Sequence, residues 1–261
     1  MNRPVAVRVA ELYDVTVNDW PGELAFYMRL TRQAKRNGEA VLEVACGTGR
    51  IAVRLAEDGV GIVGLDRSSA MLDVARGKSA GMGNVRWVEA DMRSFDVCER
   101  FRLAIIPGHS FQNLLTADDQ VACLTSIRQH LLPGGTLVVH LDHQDIDWLG
   151  ALTGELGGVF EPAGEIVHPR SGNSVHISRA WRYERATQTA VSRTRYVEVG
   201  ENGEVVDSWE RGPDCFHCLF RFEMEHLLVR AGFRVGGCYG DFDEGELTES
   251  SSEMIWVATR E

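Results

Sequence analysis

Proline is scarce in this sequence, with 7 residues in 261, and no segment is rich in it, which excludes a stiff Pro-rich linker or a collagen-like chain. Long apolar runs are missing as well. None approaches the roughly 18 residues of a membrane helix, and the start MNRPVAVRVAELYD has neither a secretory apolar stretch nor an Arg-rich, acid-free targeting face. The expectation is a cytoplasmic protein with no membrane partner. Basic residues are outnumbered, 27 Lys and Arg against 38 Asp and Glu, for a net charge of −11. That balance argues against nucleic acid, whose phosphates must be neutralised by a Lys/Arg surface, and favours a small-molecule partner. The six cysteines, at 46, 98, 123, 215, 218 and 238, are spread through apolar surroundings in a long chain, unlike the dense framework of a small secreted domain, and reduced thiols are expected.

The sequence does contain an ordinary globular balance, 44% hydrophobic and 25% charged, with 27 glycines to supply tight turns. Between residues 40 and 141 short apolar runs alternate with helical patterns, the mark of a parallel sheet covered by helices on both faces. Strands are expected at residues 40–45, 61–65, 85–88, 101–106 and 136–141. After residue 150 the period changes to 2, over 174–185 and 190–199, and Asn202-Gly203 supplies a hairpin signal. A helix over 222–231 closed by Gly232, then strands at 233–239 and 254–259, return to the first pattern. This gives three parts: an N-terminal helical cover over 1–38, an α/β core over 39–149 and 216–261, and an antiparallel β insert over 150–215 placed to form part of an acceptor pocket.

The densest signal is Val41-Leu42-Glu43-Val44-Ala45-Cys46-Gly47-Thr48-Gly49-Arg50, a buried strand entering a glycine turn and a helix start. Gly47 and Gly49 let backbone approach a ligand, and Asp66, ending the second strand, is placed to accept both hydroxyls of a ribose. An adenosine-containing ligand follows. The spacing Gly47-x-Gly49-x-x-Ala52 with a later acid also satisfies a loose dinucleotide fingerprint, so on these residues alone NAD and S-adenosylmethionine both remain open.

The surrounding residues add Glu43 inside the first strand, GLDRSSAMLDVAR, VEADMRSFD with Asp91-Met92, and Leu131-Leu132-Pro133-Gly134-Gly135 leading into the fifth strand. This ordered set, over about residues 10–145 and 219–260, resembles the class I S-adenosylmethionine-dependent methyltransferases. The resemblance implies a Rossmann-like seven-stranded sheet, mostly parallel with the last strand antiparallel, and S-adenosylhomocysteine as product. It implies that Gly47 and Gly49 pass under the cofactor, Glu43 supports its methionine amino end, Asp66 holds the ribose and Asp91 with Met92 flanks the adenine, with Arg67 and Met71 as further cofactor contacts. The β insert, an early Tyr13-Asp14 and SFQNLLTADDQ resemble small-molecule enzymes such as glycine and amino-sugar N-methyltransferases. An amine acceptor is therefore expected, with O-methylation as the alternative; a non-catalytic binding module and an NAD-type oxidoreductase are readings of other classes.

Methyl transfer is an in-line displacement at a sulfonium carbon, so the protein contributes positioning, exclusion of water and a base. His109, after the fourth strand, and Tyr13 are the catalytic candidates. Trp20, Phe111 and His140 are the acceptor candidates. His140, Asp142 and His143 together suggest a metal, but their spacing on an extended strand splits them between faces, and no metal is expected. Cys215-Phe216-His217-Cys218 has no second pair and reads as structural thiols. The arginines at 179, 182, 185, 193 and 195 read as a solvated sheet face. A monomer or homodimer is expected.

Overall fold

The computed structural model describes residues 3–154 and 157–261. In chain order these form α1 (Val5–Thr16), α2 (Glu23–Asn37), β1 (Ala40–Val44), α3 (Ala52–Glu57), β2 (Gly61–Asp66), α4 (Ser69–Lys78), β3 (Val85–Glu89) and β4 (Phe101–Ile106). They continue through a 3-10 turn (Ser110–Asn113), α5 (Ala117–His130), β5 (Leu131–Asp142), α6 (Ile146–Ala151) and the strands β6 (Phe160–Val167), β7 (Ser174–Glu184), β8 (Thr189–Val199) and β9 (Val205–His217). The last three are α7 (Arg221–Arg230), β10 (Phe233–Tyr239) and β11 (Glu253–Arg260).

Seven strands make one sheet in the order β10-β11-β5-β4-β1-β2-β3. The pairs from β3 to β5 are parallel, and β11 runs antiparallel to both of its neighbours, β5 and β10. This is the sheet that the sequence predicts. Alternate residues of each strand serve opposite faces. Leu42, Val44, Val139, Leu141 and Trp256 join α5 and α7 in one apolar cluster, while Val41, Ile105, Val138 and Ile255 join α2 and α3 in the other. The N-terminus of α4 is capped by the Ser68 hydroxyl, which accepts from the Met71 amide at 3.4 Å.

The second sheet is antiparallel, ordered β6-β7-β8-β9. The hairpin signal holds: Gly203 has φ +80°, and the Gly200 amide donates to the Glu204 carbonyl at 2.9 Å to close the β8–β9 turn. Leu12 of α1 clusters with Val175, Ile177 and Tyr196 of this sheet. The chain accordingly divides into two compact units. The described residues up to Asn18 belong with those between Gln144 and Cys218, and residues 19–143 belong with 219–261. The stretch 1–38, read above as a single cover, is thus split at Asn18. Its first helix buries Leu12 with the second sheet, and its second helix buries Phe26 and Tyr27 with the first. No helix among the described residues is long and apolar enough to cross a membrane.

Candidate active site

The glycine turn after β1 is held in left-handed backbone conformations, with φ of +56°, +56° and +72° at Ala45, Gly47 and Gly49. At Gly49 a Cβ would lie 2.8 Å from Trp87 Cη2, so the position requires glycine for space as well as for φ. At Gly47 a Cβ would meet nothing within 4 Å, so this turn presents bare backbone to an open cradle. Asp66 ties the turn together: its Oδ2 accepts the Gly47 amide at 2.9 Å and its Oδ1 the Ser68 amide at 2.8 Å. Each oxygen retains a second lone pair for a hydroxyl. Glu43 is buried, and its Oε2 has no hydrogen-bond partner. Burial pushes its carboxyl up to about 8, against the pull of Arg50. A buried carboxyl oxygen without a partner beside bare glycine backbone fits the ammonium of a bound amino acid moiety.

A second group of side chains gathers past the ends of β4 and β5. His109 follows β4 on a left-handed residue, φ +62°, directly after Gly108 at +65°. For a residue with a Cβ this conformation is strained and is retained where the surroundings hold it. Its Nε2 lies 2.6 Å from Glu253 Oε2, and His140 Nε2 lies 2.7 Å from the same oxygen. The two imidazole nitrogens are 3.2 Å apart. Glu253 Oε1 accepts the Trp20 indole N–H at 2.9 Å, and the Gly108 amide donates to His140 Nδ1 at 3.2 Å. Trp20 packs edge-on against both imidazoles, and the Arg50 guanidinium lies over the Trp20 ring. Arg50 is held in turn by a bidentate pair to Glu23, which is wholly buried, at 2.5 and 2.8 Å.

Electrostatics follow from these contacts. Burial alone would raise the Glu253 carboxyl, but hydrogen bonds from His109 and His140 outweigh it and hold the group at about 2. Glu253 is therefore an anion at any physiological pH. Burial of the His140 ring lowers its pKa against the opposing pull of Glu253, which keeps it neutral.

The structure brings Trp20, His109 and His140 together, as three of the five catalytic and acceptor candidates. It gives a different role to two candidates. Phe111 is fully buried in the hydrophobic cluster that includes Leu114 and Leu124, so it packs the core rather than meeting an acceptor. His140 has no exposed side chain, and both of its nitrogens are engaged within the protein, so it supports its neighbours and does not itself face an acceptor. Tyr13 lies on α1, in the unit of the second sheet. Among the cofactor candidates, Asp91 is paired with Arg93 at 2.6 Å, Met92 packs partly buried against the core, Met71 is half-buried and Arg67 is exposed. His143, just beyond the end of β5, turns its Nδ1 to the Ser251 carbonyl at 2.7 Å. All six cysteines are free thiols.

Glu253 is the residue that the sequence reading lacks. In the register of β11 with β5, Ile255 faces His140 and Glu253 faces Asp142, so Glu253 and His140 are diagonal neighbours on one face. The local signal is one acid directly before five apolar residues, Met254 to Ala258.

Residues 41–135 match the family model described as a methyltransferase domain. Over 226 residues the chain is 31% identical to the dTDP-3-amino-3,6-dideoxy-alpha-D-glucopyranose N,N-dimethyltransferase of Streptomyces fradiae, a match that covers 75% of this chain and 88% of that one. The chain belongs to the S-adenosylmethionine-dependent methyltransferases. This methyltransferase is also 26% identical over 233 residues to a glycine/sarcosine N-methyltransferase of Halorhodospira halochloris, covering 87% of this chain and 77% of that one. It shares its fold with the CcbJ methyltransferase of Streptomyces caelestis, at a TM-score of 0.75 and 22% identity over 97% of this chain and 96% of that one. Family membership removes the hydride-transfer reading that the glycine and acid spacing alone leaves open. The cofactor is S-adenosylmethionine.

Proposed function

We propose that this methyltransferase N-methylates a small-molecule amine, with His109 as the group that takes the acceptor's proton. The observation that carries this reading is the imidazole–carboxylate pair His109–Glu253 at the end of β4, 2.6 Å apart, in a protein whose relatives include two N-methyltransferases. When bound, S-adenosylmethionine supplies an electrophilic methyl group on its sulfonium. The residues that would hold it are Glu43 at its amino end, the backbone at Gly47 and Gly49, Asp66 at the ribose, and Asp91 with Met92 at the adenine. An aliphatic amine arrives as an ammonium ion at neutral pH and has no lone pair to donate until it loses a proton. His109 accepts that proton. The acidic surface, with a net charge of −11, suits a small, neutral or cationic acceptor and not a nucleic acid.

The test is transfer of a labelled methyl group from S-adenosylmethionine to two pools. One holds glycine, sarcosine and amino sugars; the other holds phenols and hydroxylated metabolites. Signal in the amine pool, rising with pH as the amine deprotonates, is the expected result. Signal confined to the hydroxyl pool would make the protein an O-methyltransferase and overturn the acceptor class.

A further inference from the structure

The protons of the Glu253 cluster can be located from its geometry. A backbone amide only donates, so the Gly108 N–H at 3.2 Å requires a lone pair on His140 Nδ1. In a neutral imidazole the hydrogen then sits on Nε2, the atom 2.7 Å from Glu253 Oε2. The indole of Trp20 also only donates, and it occupies Oε1. His109 Nε2 lies 2.6 Å from the ionised Oε2 and 3.2 Å from His140 Nε2, whose hydrogen is already directed at Oε2 and offers it no lone pair. A bare nitrogen lone pair facing a carboxylate at that distance is repulsive, so His109 Nε2 carries a hydrogen too. Its Nδ1 is left with the lone pair, on a ring that is 26% exposed.

We propose that Glu253 is a positioning residue which, with His140 as its second donor, holds His109 in the Nε2–H tautomer and makes His109 Nδ1 the atom that accepts the acceptor's proton. This rests on the reading of the protein as an amine methyltransferase. In the step, an N–H bond of the ammonium breaks, its electron pair stays on nitrogen, and the proton bonds to Nδ1. The imidazolium so formed faces the Glu253 carboxylate. The freed pair then forms the N–C bond as the S–C bond breaks, its electrons passing to sulfur, and Nδ1 later gives its proton up to water.

The same three side chains lie close enough to share one metal ion. Coordination through His140 Nε2 would place the hydrogen on Nδ1, opposite the Gly108 N–H, donor against donor. Histidine ligands of metals instead turn their other nitrogen to an acceptor. The donor pattern therefore favours the proton-holding arrangement.

Long-range 1H–15N spectra of histidine-labelled protein test the proposal without any acceptor. In the wild type, His109 is expected to show a protonated Nε2 and a pyridine-like Nδ1 when neutral. In Glu253→Gln, whose amide can turn its NH2 group to the ring, that preference is expected to collapse towards a mixture. Turnover on the amine pool is expected to fall on the order of 100-fold, with KM for S-adenosylmethionine and the affinity for S-adenosylhomocysteine unchanged. His140→Gln, which keeps a donor towards Glu253, is expected to retain the His109 tautomer. A wild-type His109 protonated on Nδ1, a measurement needing no variant, would overturn the proposal. So would a tautomer unmoved in Glu253→Gln, or one equivalent of Zn2+ or Mn2+ bound by the wild type and lost in that variant. Failure to bind S-adenosylhomocysteine would instead sink the methyltransferase reading and leave the tautomer result standing.

Discussion

Glu43 is a carboxyl group whose state depends on what lies beside it. Buried and with Oε2 unpartnered, it holds its proton up to about 8, whereas in the unfolded chain it releases it near 4.5. The folded state therefore binds more protons than the unfolded state between those values, and its contribution to stability declines as pH rises through that window. Glu43→Gln is expected to flatten this decline, as read from urea midpoints between pH 5 and 8. An ammonium placed beside Glu43 favours its ionised form, so binding of S-adenosylhomocysteine at pH 7 is expected to release a proton. Calorimetry in buffers of different ionisation enthalpy measures that release, and Glu43→Gln should abolish it. Asp66, which ties the glycine turn together, is the proposed ribose contact of the same ligand. Removing its carboxylate takes away the acceptor of the Gly47 and Ser68 amides together with the proposed ribose contact. Asp66→Ala is expected to weaken S-adenosylhomocysteine binding by about 1 to 3 kcal/mol, measured by titration calorimetry.

At the scale of elements, pairing decides what can be read in advance. The geometry of the glycine turn was legible because Glu43, Gly47, Gly49 and Asp66 lie within one strand–turn–helix–strand unit, where spacing along the chain is also spacing in the fold. Glu253 was not, because it meets His140 across 113 residues and only through the register of β11 on β5. The strand β6, PheGluProAlaGlyGluIleVal in composition, escaped for a different reason. Its Pro, Gly and two Glu residues carry poor strand propensity, and it is the pairing with β7 that makes it a strand. Phe111 was misplaced because an apolar residue after a strand end looks the same in sequence whether it turns into the core or towards a ligand. The β2–β3 pair shows how closely such pairing is fitted. Gly64 faces Trp87 in register, and a Cβ on it would lie 2.4 Å from the indole. Gly64→Ala is expected to cost about 1 to 3 kcal/mol by overpacking. Adding Trp87→Leu should recover part of that loss, and a double-mutant cycle in urea measures the coupling.

The whole molecule holds its apolar residues unevenly. The seven-stranded sheet has an extensive buried cluster on each face, while α1 and the second sheet share a small one built on Leu12, Val175, Ile177 and Tyr196. Burial of apolar area is the main source of stability, so the two units are expected to open at different free energies. Amide exchange should report lower protection in β7 and β8 than in β1 and β4; equal protection would show that they unfold as one. On the acid side, His140 acts in the opposite sense to Glu43. Its folded pKa lies below the unfolded value near 6.5, so stability is present above that pH and declines as the unfolded chain takes up the proton. Urea midpoints should therefore drop below pH 6.5, and less so in His140→Gln.

The position of Glu253 also governs when the site comes into being. On the ribosome, the strands around the glycine turn emerge together and can pair at once. The two histidines are made next, and their anion comes more than a hundred residues later on β11, which has to slide between β5 and β10 after both have formed. Until then β5 is an open edge and His140 has no carboxylate to serve. On the proposed roles, a nascent chain could bind its cofactor before it could handle a proton.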